Sequence, residues 1–131
     1  MNIAIIGSRS LNDYTLIENT LMEFIKTENP ETVKIISGGA VGSDTLGKQF
    51  AEKFNYEHLE FLPDWKKFGR GAGIRRNTTI IENSDIVFAF WDMKSKGTAD
   101  SIAKARKFGK RIVIIDIHHE QNEHKKNQKS E

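Results

Sequence analysis

Val33-Lys34-Ile35-Ile36-Ser37-Gly38-Gly39-Ala40-Val41-Gly42-Ser43-Asp44 carries the pattern that decides the fold. A short run rich in Ile and Val reads as a strand buried on both faces. The glycines then turn the chain, because they alone reach positive φ freely and leave room for close backbone approach. Beyond the turn, Leu46, Phe50 and Phe54 recur at four-residue spacing, which predicts a helix capped by Ser43 or Asp44. The same order of strand, glycine turn and helix recurs on both sides. Residues 3–6 run into Gly7-Ser8-Arg9, and residues 86–90 lead to Ser95-Lys96-Gly97-Thr98-Ala99-Asp100.

The remaining segments complete the alternation. Leu16, Ile17, Leu21, Phe24 and Ile25 share one helical face behind a cap at Asn12 or Asp13. Ala99, Ile102, Ala103 and Arg106 predict a helix that stops at Gly109, and residues 112–115 then read as a last buried strand. Residues 58–62 alternate weakly and end at Pro63, which suits a strand nearer an edge. Strands that alternate with helices pair in parallel through right-handed crossovers. The expected fold is therefore α/β, a Rossmann-like three-layer sandwich with a mostly parallel sheet of about five strands. Residues 1–117 form the expected domain, and the polar residues 118–131 a C-terminal tail.

Composition narrows the function by exclusion. The chain has 131 residues and a net charge of +2, too small to mark a dedicated nucleic-acid binder. It has no cysteine, which excludes disulfides, a thiol nucleophile and cysteine metal sites. The apolar start is too short for a signal peptide, and no run reaches membrane-spanning length. A cytoplasmic protein without membrane contact is expected.

Ligands of open parallel sheets bind beyond the carboxyl ends of the strands. Gly7-Ser8-Arg9, residues 37–44 and residues 91–98 all fall at that edge, where glycine turns bring N–H groups toward an anion at a helix N-terminus. The segment 63–77 begins there too, with Trp65 and the basic residues Lys66, Lys67, Arg70, Arg75 and Arg76, and could lie over a ligand. Isolated lysines in such a loop usually belong to a solvated surface, whereas Arg75 and Arg76 beside glycines suit bidentate phosphate contact. Trp65 and Trp91 could stack on a base or pack at the rim. Ser8, Ser37 and Ser43 lack a Gly-x-Ser-x-Gly elbow and read as hydroxyl donors to phosphate. The run from Gly42 to Gln49 approaches a P-loop, but Gln49 replaces the Ser or Thr that binds magnesium, and Gly47 falls inside a helix. His118, His119 and His124 have no fixed acidic partner, so no metal site is expected, and His58 is expected to be structural.

Taken together, these motifs resemble the SLOG superfamily, the Rossmann-like group that includes the LOG nucleotide hydrolases, and within it the YspA/YpsA-like branch. The resemblance rests on Gly7-Ser8-Arg9, Ser37-Gly38-Gly39-Ala40 with Gly42 and Asp44, and Pro63-Asp64-Trp65. It continues through Ala72-Gly73, Arg76-Asn77, Asp85, Ala89-Phe90-Trp91 and Ser95-Lys96-Gly97-Thr98. It implies a pocket for nucleotides or their derivatives, with the ligand held by Gly7, Ser8, Arg9, Ser37, Gly38, Gly39, Ala40, Asp44, Trp65, Arg76, Asn77, Trp91, Ser95, Gly97 and Thr98. The expected function is to sense or sequester an NAD-derived, ADP-ribose or cyclic ADP-ribose-type signal, without a cofactor. LOG enzymes carry a Pro-Gly-Gly-x-Gly-Thr loop followed by glutamates, where this chain has Ser95-Lys96-Gly97-Thr98-Ala99-Asp100. Asp44 and Asp100 are the candidate catalytic carboxylates for the alternative, a nucleoside 5′-monophosphate phosphoribohydrolase. A single-stranded nucleic-acid binder using the basic segment and Trp65 is a second alternative. The resemblance also implies a homo-oligomer, dimer or larger, and Ile80 and Ile81 are candidates for its interface.

Overall fold

Alternating side chains of β1 (Asn2–Gly7) divide the interior in two, with Ile3 and Ile5 facing one way and Ala4 and Ile6 the other. The structure, a computed structural model, describes residues 1–117. On the first face β1 meets α1 (Tyr14–Glu28) and α2 (Ser43–Lys53), whose Ile17, Leu21, Ile25, Leu46 and Phe50 fill that core. On the second it meets α4 (Ala72–Glu82) and α5 (Lys96–Lys107) through Ile80, Ile81, Ile102 and Ala105. The strands β2 (Lys34–Ser37), β3 (Glu57–Glu60), β4 (Ile86–Trp91) and β5 (Arg111–Asp116) complete the sheet. All pairings are parallel, in the order β3-β2-β1-β4-β5. This is the expected three-layer α/β sandwich, with β3 at an edge.

The order also fixes the ligand edge. Chain leaving β1 turns toward β2 on one side, while chain leaving β4 turns toward β5 on the other. The C-terminal ends of β1 and β4 therefore part at a topological switch point, where a crevice opens. Between β3 and β4 the chain forms α3 (Trp65–Phe68), a 3₁₀ turn (Gly69–Gly71) and α4, so residues 63–77 run beside that crevice.

Several local expectations are corrected. β5 is not buried on both faces: Val113 is 37% and Ile114 36% exposed, and among the described residues the strand has a neighbour on one side only. The buried face of α5 is Thr98, Ser101, Ile102 and Ala105, while Ala103 and Arg106 face solvent. Two small hydroxyl residues occupy core-facing positions there, and hydropathy alone assigns them outward. Helix α1 is capped by Asp13, whose carboxylate accepts from the Leu16 N–H. Helix α2 is capped by neither Ser43 nor Asp44: its N-cap is Gly42, at φ 91°, and the Asp44 side chain bends back elsewhere. Gly47 does lie inside α2, as the exclusion of a P-loop requires. Ile80 and Ile81 are interior, 2% and 0% exposed, and cannot form a subunit interface. Residues 118–131, with His118, His119 and His124, lie outside the described residues. Among the described residues, no helix is long and apolar enough to cross a membrane.

Candidate functional site

The crevice at the switch point is a cavity of about 460 Å³, within the usual range for small-molecule sites. Its floor is Ile5, Ile6 and Ile80. Around it stand Gly7 and Arg9 from the β1 end, Gly38 to Val41 and Ser43 from the β2 end, and Ser95, Gly97, Thr98 and Ser101 from the start of α5. Pro63, Trp65, Arg76 and Asn77 close the fourth side. Of the residues singled out in the sequence, the structure gathers Gly7, Arg9, Gly38, Gly39, Ala40, Trp65, Arg76, Asn77, Ser95, Gly97 and Thr98 around one space. It leaves Ser8, Ser37, Asp44, Trp91 and Asp100 out of the lining.

Those five support the walls. Ser8 is buried, and its hydroxyl accepts from the Asp92 N–H at 3.0 Å, joining the β1 and β4 loops. The Trp91 indole donates to the Ser95 carbonyl at 3.0 Å. Asp92 shapes the same loop by accepting from the N–H groups of Lys94 and Ser95, and these bonds hold its carboxyl below the usual range. The Ser95 side chain makes no cap bond to α5, so the first-turn N–H groups beside the cavity keep their donors. Asp100 is ion-paired with Lys104, one helical turn on, at 2.9 Å. Lys104 also donates to the Ile74 carbonyl, tying α5 to α4.

Asp44 lies behind the glycine turn. Its Oδ1 accepts from the Gly39 N–H at 3.0 Å and from the Ser37 hydroxyl at 2.6 Å. Ser37 Oγ is also 2.6 Å from His58 Nε2. Since the only hydroxyl proton goes to Asp44, the imidazole must donate, which selects its Nε2–H tautomer. Burial opposes the Asp44 charge, but the bonds from Ser37 and Gly39 outweigh it and hold the carboxyl below its ordinary value. The contact with Asp44 pushes the Glu60 carboxyl up, and burial pushes the His58 imidazole down. Sequence reading took His58 as structural and did not single out Glu60. The available signal was their i, i+2 spacing, which places both on one face of β3.

The cavity is cationic in its lining. Arg76 is half-buried; burial pushes its guanidinium pKa down and nearby Asp44 opposes that. Its NH1 donates to the Gly38 carbonyl and its Nε to Asn77 Oδ1, leaving other donors of the fork for an anion. Arg9 lines the opposite side and is exposed. Among the described residues, no carboxylate lines the cavity. Of the other basic residues in 63–77, Arg75 lies over the Phe68 ring and Lys67 beside it, and neither reaches the lining.

The glycines serve different needs. A Cβ on Gly38 would meet Arg76 Cδ at 2.5 Å and Ile80 Cδ1 at 2.6 Å, so its absence admits those side chains. Gly39 stands at φ 73° with Leu62 against it, whereas a Cβ on Gly97 meets nothing within 4 Å.

Comparison with known proteins agrees with this architecture. The crystal structure of TM1055, a Northeast Structural Genomics Consortium target, superposes with a TM-score of 0.60 at 17% identity, covering 85% of this chain and 71% of that one. That likeness is one of fold. No curated protein matches the chain. A family model, described as the YspA, cpYpsA-related SLOG family, matches residues 1–68. The matched span holds the first two glycine turns and ends in α3, before Arg76-Asn77 and the α5 turn. Covering just over half of the sequence, the match establishes that the chain belongs to the YspA, cpYpsA-related SLOG family.

Proposed function

We propose that the protein captures a phosphate-bearing, nucleotide-derived small molecule in the switch-point cavity and holds it unchanged, to sense or sequester it. The ligand class is NAD-derived, of ADP-ribose or cyclic ADP-ribose type. SLOG membership suggests nucleotide-derivative binding or a LOG-like role, and the composition of the cavity wall favours binding. Two arginines and three glycine turns converge on it, and among the described residues no carboxylate lines it; that single observation carries the reading. Glycoside cleavage through an oxocarbenium-like state needs a carboxylate at the ribose. Asp44 spends its Oδ1 on Ser37 and Gly39 behind the turn, and Asp100 is paired to Lys104. Trp65, 60% exposed at the cavity rim, offers a face for a base.

The test is chromatography of nucleoside 5′-monophosphates and cyclic ADP-ribose isomers after incubation with the protein. A mass spectrum of small molecules released by heat denaturation accompanies it. Intact ligand, recovered at about one per chain, is the expected outcome. Free base at many turnovers per protein, abolished by Asp44→Asn or Asp100→Asn, would establish the phosphoribohydrolase instead.

A further inference from the structure

We propose that Asp44, His58 and Glu60 form a divalent transition-metal site behind the glycine turn, distinct from the cavity and independent of what the cavity binds. One ligand atom from each of the three residues lies within 4.8 Å of those of the other two. A bound ion would draw them closer, and Glu60, exposed at the end of β3, has the freedom to close that distance. The other two are already held. The Asp44 and His58 side chains are 16% and 14% exposed, and Asp44 Oδ1 and His58 Nε2 stand 4.0 Å apart. An ion would take the Nε2 lone pair, which requires the imidazole proton to move to Nδ1 and the Ser37–His58 bond to give way, while the buried Ser37 hydroxyl keeps its bond to Asp44. A hydroxyl so placed on the Asp44 carboxylate orients a metal ligand as in known sites. Asp44 keeps Oδ1 on Ser37 and Gly39 and offers its other oxygen.

The donor chemistry sets the ion. One imidazole with two carboxylates suits Zn²⁺ or Mn²⁺, whereas Mg²⁺ favours oxygen-only sites and keeps its waters. Two of the ligands, His58 and Glu60, come from one rigid strand, and the third from the first turn of α2. An ion here would therefore staple β3 to the start of α2. Because Asp44 also fastens the Gly39 N–H, it would stiffen the turn that borders the cavity.

The test is calorimetric titration of Zn²⁺ alone into the full chain carrying His118→Asn, His119→Asn and His124→Asn, so that heat from those imidazoles is removed. One Zn²⁺ per chain at micromolar affinity or better is expected, with Mn²⁺ weaker, Mg²⁺ silent, and a higher unfolding temperature in Zn²⁺. Glu60→Gln, at an exposed position that leaves the core intact, should weaken Zn²⁺ binding at least tenfold, and His58→Ala should do the same. Zn²⁺ binding weaker than about 1 mM would overturn the proposal, as would an affinity unchanged in Glu60→Gln. If His58→Ala does not fold, the Glu60→Gln titration decides alone.

Discussion

Gly38 and Gly97 both border the cavity, yet a side chain would be met differently at each. At Gly97 the space is open, so Gly97→Val should fold with a nearly unchanged unfolding temperature while intruding beside the anion-facing start of α5. Calorimetry should show affinity for ADP-ribose falling by at least about 1.5 kcal/mol, the lower value for a charge-assisted hydrogen bond. Gly38→Ala should behave in the opposite way. Its Cβ must displace Arg76 and Ile80, and overpacking of this kind costs about 1–3 kcal/mol of stability. Equal stability of the two variants would contradict this division. Tyr14 gives a second residue-level test, set by pH. Burial, together with the bond its phenol donates to Glu18, pushes its pKa up to about 12. A raised pKa contributes stability that is complete below the unfolded value, near 10, and is lost as pH rises through the folded one. Denaturant midpoints should therefore fall between about pH 10 and 12, and Tyr14→Phe should flatten that fall.

At the scale of elements, α4 is fastened to the β2–α2 turn by one side chain. Arg76 donates to the Gly38 carbonyl from within the cavity wall, so Arg76→Ala should loosen the segment 63–77 as well as remove a cation. A loss of about 1.5–3 kcal/mol in stability is expected from a charged hydrogen bond, and Arg76→Lys should recover little because it lacks the planar fork. Faster hydrogen exchange along α3 and α4 in Arg76→Ala would show the loosening; unchanged exchange would refute it. The elements themselves were legible because buried parallel strands and glycine turns leave local marks, as residues 33–44 do. Two features were not. The buried face of α5 includes Thr98 and Ser101, whose hydroxyls read as outward in any hydropathy pattern. The position of Asp44 was hidden as well: two residues past a glycine at φ 91°, a small rotation decides whether a carboxylate faces the cavity or the turn behind it. The gathering of Arg9, Arg76 and three loops was readable from the parallel order alone, because that order puts their starting points on one edge.

For the whole molecule, the edge strand β5 is the surface on which association would rest. With Ile80 and Ile81 interior, an interface must use other apolar surface, and β5 provides it. Val113 and Ile114 are over a third exposed, nearby Phe108 is 41% exposed, and among the described residues the strand pairs only with β4. An apolar edge without Pro, Gly or a bulge is a template for another strand. Residues 118–131 contain no aliphatic or aromatic apolar side chain. We expect a second copy of the chain at that edge. Two β5 strands related by a twofold axis perpendicular to the sheet run antiparallel, and symmetry then sets Val113 against Val113 or Ile114 against Ile114. The sheets would join into one, leaving both cavities open at the strand ends. We therefore expect a dimer mass by light scattering at high micromolar concentration. Val113→Lys, which sets like charges against each other across the axis, should return the protein to monomer with little loss of unfolding temperature. A monomeric wild-type chain would rule out self-association, and a Val113→Lys dimer would place the interface elsewhere.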